Sequence, residues 1–303
     1  MIFQRHPSRS PRNWSGAHAL TLVELLVAVA ILAVLAAGGG AVYQSALRKG
    51  DQVKEINAGR TLITAYLNYA NDHNGELMVA SYVSDAGTPP DLRNLNIRWP
   101  DGTRIPADTG EEPLHRYAHR LAPYFEYQIE DVLLISPTAR EYVRRVFAGN
   151  YHYGVSLATA FGINHRFVGG FKAGDVLAGG VYSSDGDLVG SGECVTRLSQ
   201  APNPAHLLVF ATAFHVYNGE RIPGFPNLEP PYWNSKLWDK NLNVDPRHDG
   251  KAVCVFLDGS IQFKTVDELR DMRYWSREAQ LRDNASYRVP VKGVDTGALP
   301  GRP

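Results

Sequence analysis

The sequence predicts an α+β protein: a long N-terminal helix, apolar in its first half, followed by a head with an antiparallel sheet. Three observations carry this. An 18-residue run from Leu20 to Ala37 holds a single charged residue, Glu24. Beyond it, apolar residues recur at helical spacing as far as Ala70. Near the other end, two strand-like runs flank Asp258-Gly259, the pair that most strongly marks a hairpin.

The bulk composition sets the outer limits. With 303 residues, 44 % of them hydrophobic, the chain has ample material for a core, and disorder over most of its length is excluded. Thirty-one basic residues balance 31 acidic ones, so no bulk charge draws the chain to nucleic acid. Two cysteines are too few for a disulfide scaffold.

Residues 1–19 contain Arg5, Arg9 and Arg12 and no acid, and form a basic leader. At about 1.5 Å per residue, the run from Leu20 to Ala37 is roughly 27 Å long, close to the hydrocarbon thickness of a bilayer. It is therefore expected to span the membrane once. The basic leader is retained on the cytoplasmic side and the head lies outside. A plain signal peptide is the competing reading. Glu24 argues against it, because an acid inside an apolar span costs about 2.5–3.5 kcal/mol on insertion scales. A carboxylate kept there needs a partner. A new N-terminal ammonium, freed by cutting just upstream, is the nearest one, and cleavage after Ala19 would make Glu24 the fifth residue.

Ala19 followed by "LTLVELLVAVAILAVLAA" resembles the processing site of type IV pilins and type II secretion pseudopilins. Their pattern has Gly where Ala19 stands and Phe where Leu20 stands. The resemblance implies cleavage by a prepilin peptidase between Ala19 and Leu20 and N-methylation of Leu20. It further implies assembly through Glu24 with other copies or related subunits, starting from the inner membrane.

Helical spacing continues through Val53, Ile56, Ile63, Leu67 and Ala70, with Lys49, Asp51, Lys54, Glu55 and Asn68 on the other faces. The predicted helix covers residues 20–72, the first half (20–37) in the membrane. Gly38, Gly39 and Gly40 are expected to interrupt it as a hinge or a membrane-exit linker, since three glycines cost roughly 3 kcal/mol against alanines. The segment "NDHNGEL" stops it, with Gly75 suited to a left-handed cap.

The head, 73–303, reads as short strands and turns. Helices are expected around Leu114 to Tyr124 and Ala139 to Phe147, and strands over Val176 to Tyr182 and His206 to Phe214. Lys251 to Leu257 is apolar on both faces and predicts a covered central strand. Asp258-Gly259 is expected as a two-residue turn into a half-buried strand with Ile261 and Phe263 inward. Thr265 and Glu268 then form a capping box for a helix to about Trp275.

His248 followed by nine residues and then Asp258-Gly259 resembles the motif of the prepilin-type processing-associated His-X9-Asp-Gly family. A shared site for His248 and Asp258 is not expected, because about 20 Å of extended strand separates them. Asp258-Gly259 reads as the turn, and His248 as a hydrogen-bonding residue where the strand begins.

Other chemistry is sparse. His115 and His119 lie four apart but lack the further ligands of a zinc site. Asp185, Asp187 and Glu193 make an acidic loop that departs from the calcium-binding order, so no cofactor is assigned and calcium has only weak support. Nucleophile elbows, P-loops and dinucleotide fingerprints are absent from the sequence, and no enzymatic activity is expected. Cys194 and Cys254 are left open between a disulfide and buried thiols. Tyr232, Trp233 and Trp238 are candidate stacking residues. They support the alternative of a membrane-anchored extracytoplasmic module, binding carbohydrate for example, that does not polymerise.

Overall fold

The computed structural model describes residues 21–82, 116–173, 176–178, 180–182, 188–191, 194–217, 219–231 and 243–288. Two compact units make up the chain, Met1–Lys49 and Gly50–Pro303.

Helix α1 runs from Leu22 to Asp72. It passes unbroken through Gly38, Gly39 and Gly40, so the expected interruption is absent. Ala36, Ala37 and Ala41, strong helix formers, flank the glycines on both sides. At the far end His73 and Gly75 donate back to the carbonyls of Tyr69 and Ala70, Gly75 at 2.7 Å. Asn74 and Gly75 both have left-handed backbone, at φ 55° and 82°. Asn74 thus takes the cap position ahead of the glycine.

The remaining elements follow in chain order: β1 (Ser81–Tyr82), α2 (Tyr117–Leu121), α3 (Ile129–Val132), α4 (Pro137–Val146), α5 (Tyr151–Leu157), β2 (Phe161–Ile163) and β3 (Phe171–Ala173). Next come β4 (Val176–Ala178), β5 (Gly180–Tyr182), β6 (Leu188–Ser191), β7 (Leu208–Thr212), β8 (His215–Tyr217), β9 (Glu220–Ile222), β10 (Lys251–Phe256), β11 (Ile261–Thr265) and α6 (Arg277–Leu281). The single strand expected over Val176 to Tyr182 is two strands, β4 and β5, in different sheets. The strand expected from His206 begins only at Leu208, because Pro204–His206 forms a tight 3-10 turn.

The principal sheet has the order β11-β10-β7-β2 and is antiparallel throughout. A smaller sheet pairs β1 with β3 in parallel. Strand β10 is central, and its residues divide between two cores as the two-faced apolar pattern predicts. Val253, Val255 and Leu257 share a cluster with Ala58, Leu62, Ala65 and Tyr66 of α1. Ala252, Cys254 and Phe256 face Leu269, Met272 and Trp275 on the other side. Gly59 lets the helix come close, since a Cβ there would lie 3.0 Å from Val255 Cγ2. Buried Asn164 ties the layers together, its amide donating to the carbonyls of Leu208 and Trp275 at 3.0 Å each.

Three local expectations need correction. The buried face of α1 is carried by Glu55, Ala58, Leu62, Ile63, Ala65, Tyr66 and Ala70, while Val53 is exposed, so the stripe is rotated from the one expected. The hairpin turn is a three-residue loop. Val255 pairs with Ile261, Gly259 N–H donates to Phe256 at 2.9 Å, and of the Asp-Gly pair only Gly259 has positive φ, 88°. This is a type I turn with glycine in the left-handed bulge position, and Asp258 supports it by accepting from Ser260 N–H at 2.8 Å. Finally, the Thr265–Glu268 capping box forms, with Thr265 N–H 2.8 Å from Glu268 Oε2, but no α-helix reaches Trp275. Two 3-10 turns, Glu268–Arg270 and Met272–Tyr274, take its place. Asp271 separates them in extended backbone, accepting from Arg273 N–H at 2.9 Å.

Candidate functional site

Ala19 and Leu20, the expected processing pair, lie outside the described residues. The helix start beside them is defined. Thr21 is the N-cap residue: its N–H and hydroxyl lie 2.8 and 2.9 Å from Glu24 Oε2, and Glu24 N–H donates to Thr21 Oγ1 at 3.2 Å. This reciprocal capping box satisfies donors that a helix N-terminus leaves open. Glu24 therefore has hydrogen-bond partners within its own chain, in addition to the freed N-terminal ammonium that the sequence suggests. The side chains that follow, Leu22, Val23, Leu25, Leu26, Val27, Val29, Ile31 and Leu32, are all exposed. Among the described residues no helix is long and apolar enough to cross a membrane. Leu20 and the side chains of 34–42 fall outside that description, so the span over 20–37 rests on the sequence.

The second candidate site surrounds His248. His248 and Lys251 exchange backbone hydrogen bonds of 3.1 and 2.9 Å, which seats the histidine at the start of β10. Its Nε2 is 2.7 Å from Glu55 Oε2 on α1. Arg247 reaches the other oxygen of Glu55 at 3.3 Å, donates to Ala213 O at 2.8 Å, and stands 3.0 Å from Asp245 Oδ2. Asp245 is held beside β7 by its own N–H and carbonyl, both bonded to Thr212, and Arg221 approaches it at 2.7 Å. The guanidinium of Arg221 also stacks 3.9 Å from the Phe214 ring. Two carboxylates and two guanidiniums thus balance around a nearly buried histidine. Asp258 and Gly259 sit at the opposite end of β10, so the motif's His and Asp-Gly are not brought together.

Sequence reasoning missed Glu55, which it placed on a polar face. The signal was its spacing of three, four and seven residues from Ala58, Gly59 and Leu62, which puts it on the buried stripe. It also missed a cluster in which Arg166 and His165 lie 3.3 and 3.4 Å from Glu229 Oε1. Burial, aided by neighbouring Arg166, holds the His165 imidazole well below its usual range; burial raises Glu229, with Arg166 opposing.

His119 is buried, and its Nε2 bonds the carbonyl of His152 at 2.9 Å, while His115 lies outside the described residues. Among the described residues no group of three or more potential ligands gathers for a metal. Asp185, Asp187, Glu193, Tyr232, Trp233 and Trp238 also lie outside them. Cys194 and Cys254 are both free and buried, and burial pushes both thiols up.

Helix α1 thus opens on a capped acid, Glu24, and its second half packs into the core of an α+β head. Residues 14–40 match the model of the prokaryotic N-terminal methylation motif. The chain is thus type IV pilin-like or pseudopilin-like at its N-terminus, with the signature of prepilin-peptidase processing. No curated protein and no solved structure matches it.

Proposed function

We propose that this chain is a structural subunit of a type IV pilus-like or type II secretion pseudopilus-like filament, and that its work is assembly, not catalysis. The observation that carries the reading is the methylation motif at residues 14–40 in phase with a helix whose capped acid is Glu24. In this reading the prepilin peptidase cuts between Ala19 and Leu20 and methylates Leu20. The run from Leu20 to Ala37 then anchors the chain once in the inner membrane, with the head extracytoplasmic.

On assembly the exposed apolar face of α1 exchanges lipid for the helices of other subunits. The Thr21–Glu24 box keeps the carboxylate hydrogen-bonded while the subunit is alone, which lowers the cost of carrying an acid into lipid. A neighbour's N-terminal amine then offers it a charge partner, and a buried pair of this kind sets register.

Glu24→Ala tests the reading. Filaments recovered by shearing from cells expressing the variant should fall to background while membrane-bound subunit persists. Unchanged filament recovery would instead favour a tethered binding module.

A further inference from the structure

We propose that Glu55, His248 and Arg247 form a clamp that fixes the rotation of the Gly50–Asp72 part of α1 on the head. The proposal stands whether or not the chain polymerises. Among the described residues Glu55 is the first fully buried position of α1; residues 46–51, Val53 and Lys54 are exposed, and burial recurs from Ala58 onward. Within Gly50–Asp72 the outermost buried position of the helix is thus a charged one, and the apolar stripe lies behind it.

The chemistry suits a fixed rotation. Apolar contacts such as Ala58 and Leu62 are non-directional and tolerate small rotations of the helix. The carboxylate of Glu55 takes one partner on each oxygen, His248 on one and Arg247 on the other, which allows a single rotation of the helix about its axis. Neither partner is loose. His248 is pinned by its two-bond backbone pairing with Lys251, and Arg247 by Ala213 O and Asp245. A buried ion pair is a poor source of net stability but a good source of geometric specificity. The His of the His-X9-Asp-Gly segment gains a task here that neither metal binding nor catalysis supplies.

The test uses the full chain in detergent, with spin labels on cysteines introduced at exposed positions. Distances are measured from Lys251 to Val53, just outside the clamp, and from Lys251 to Arg60, just inside it. The unaltered clamp should give one narrow distribution for each pair. Glu55→Leu combined with His248→Leu should at least double the width of the Val53 distribution and leave the Arg60 one narrow. Glu55→His combined with His248→Glu should restore the narrow form. A Val53 distribution that stays narrow in the apolar variant would overturn the proposal, as would equal broadening of both pairs, which signals general loosening. If the leucine variant fails to fold, Glu55→Met with His248→Met, which also removes both polar groups, is read in the same way, and an unbroadened Val53 distribution there is equally fatal.

Discussion

His248 Nε2 stands 2.7 Å from Glu55 Oε2, joining positions 193 residues apart in the sequence. The side chains of Glu55, His248 and Arg247 are 6, 10 and 17 % exposed, so water does little to replace a lost partner. Glu55→Ala leaves two buried groups without their acceptor and is expected to cost about 3–5 kcal/mol. The exposed pair Glu76–Arg197, at 2.6 Å but about half exposed on both sides, is the control. Glu76→Ala should cost under about 1 kcal/mol. Urea unfolding of the two variants side by side measures the contrast, and equal losses would contradict a buried role for Glu55.

The pH dependence of stability should carry the mark of a buried histidine. Burial holds His119 down to about 4, outweighing the bond to His152, and Arg116 adds to the lowering. In the unfolded chain it titrates near 6.5. Between these values the unfolded chain binds the proton and the folded one does not, so stability is complete above the upper value. It falls as pH drops toward the lower one, by at most about 3 kcal/mol. His165 acts in the same direction. In urea titrations at pH 7 and pH 4.5, His119→Gln should lose less stability between the two than the unsubstituted chain, since its amide can still donate to His152 O.

Two glycines with nearly the same backbone should respond differently to alanine. Gly259 has φ 88° and open space around it, so Gly259→Ala should cost about 1–2 kcal/mol, the backbone term alone, and Gly259→Asn less. Gly169 has φ 78°, and a Cβ there would sit 2.0 Å from the Met78 carbonyl oxygen. Gly169→Ala should therefore exceed about 3 kcal/mol, as overpacking adds to the strain. Thermal unfolding of the variants ranks them.

Much of the architecture was legible because it rests on local pattern. The acid-bearing apolar run marks the start of α1, the Asn-Asp-His-Asn-Gly stretch marks its end, and the two-faced apolar run marks β10 as central. Failures came where a distant partner decides. Glu55 is charged and so reads as solvated; only His248 and Arg247, about two hundred residues on, make its burial tolerable. The rotated stripe follows from the same cause. The turn at Asp258-Gly259 was placed correctly but given the wrong length, because Asp-Gly serves equally in a two-residue loop and in a type I turn with a glycine bulge. The break at Asp271 depends on its bond to the Arg273 amide, and the capping box upstream carries no sign of it.

Cys194 and Cys254 supply a chemical test of the core. Both are free and buried, and burial raises both thiols, so neither presents a thiolate at neutral pH. A maleimide reagent should leave the native chain unlabelled and add two equivalents after denaturation without reductant. Denatured, unreduced chain that still resists labelling would show a disulfide and contradict the two separate thiols.

The filament reading requires that the chain be processed just before its helix, so that Glu24 becomes the fifth residue of a mature subunit. Intact mass and N-terminal fragment spectrometry of the protein purified from membranes read the mature N-terminus itself. The prediction is a chain beginning at Leu20 and carrying one added methyl group on its amine. A chain retaining Met1, or one starting near Gly38, would contradict it.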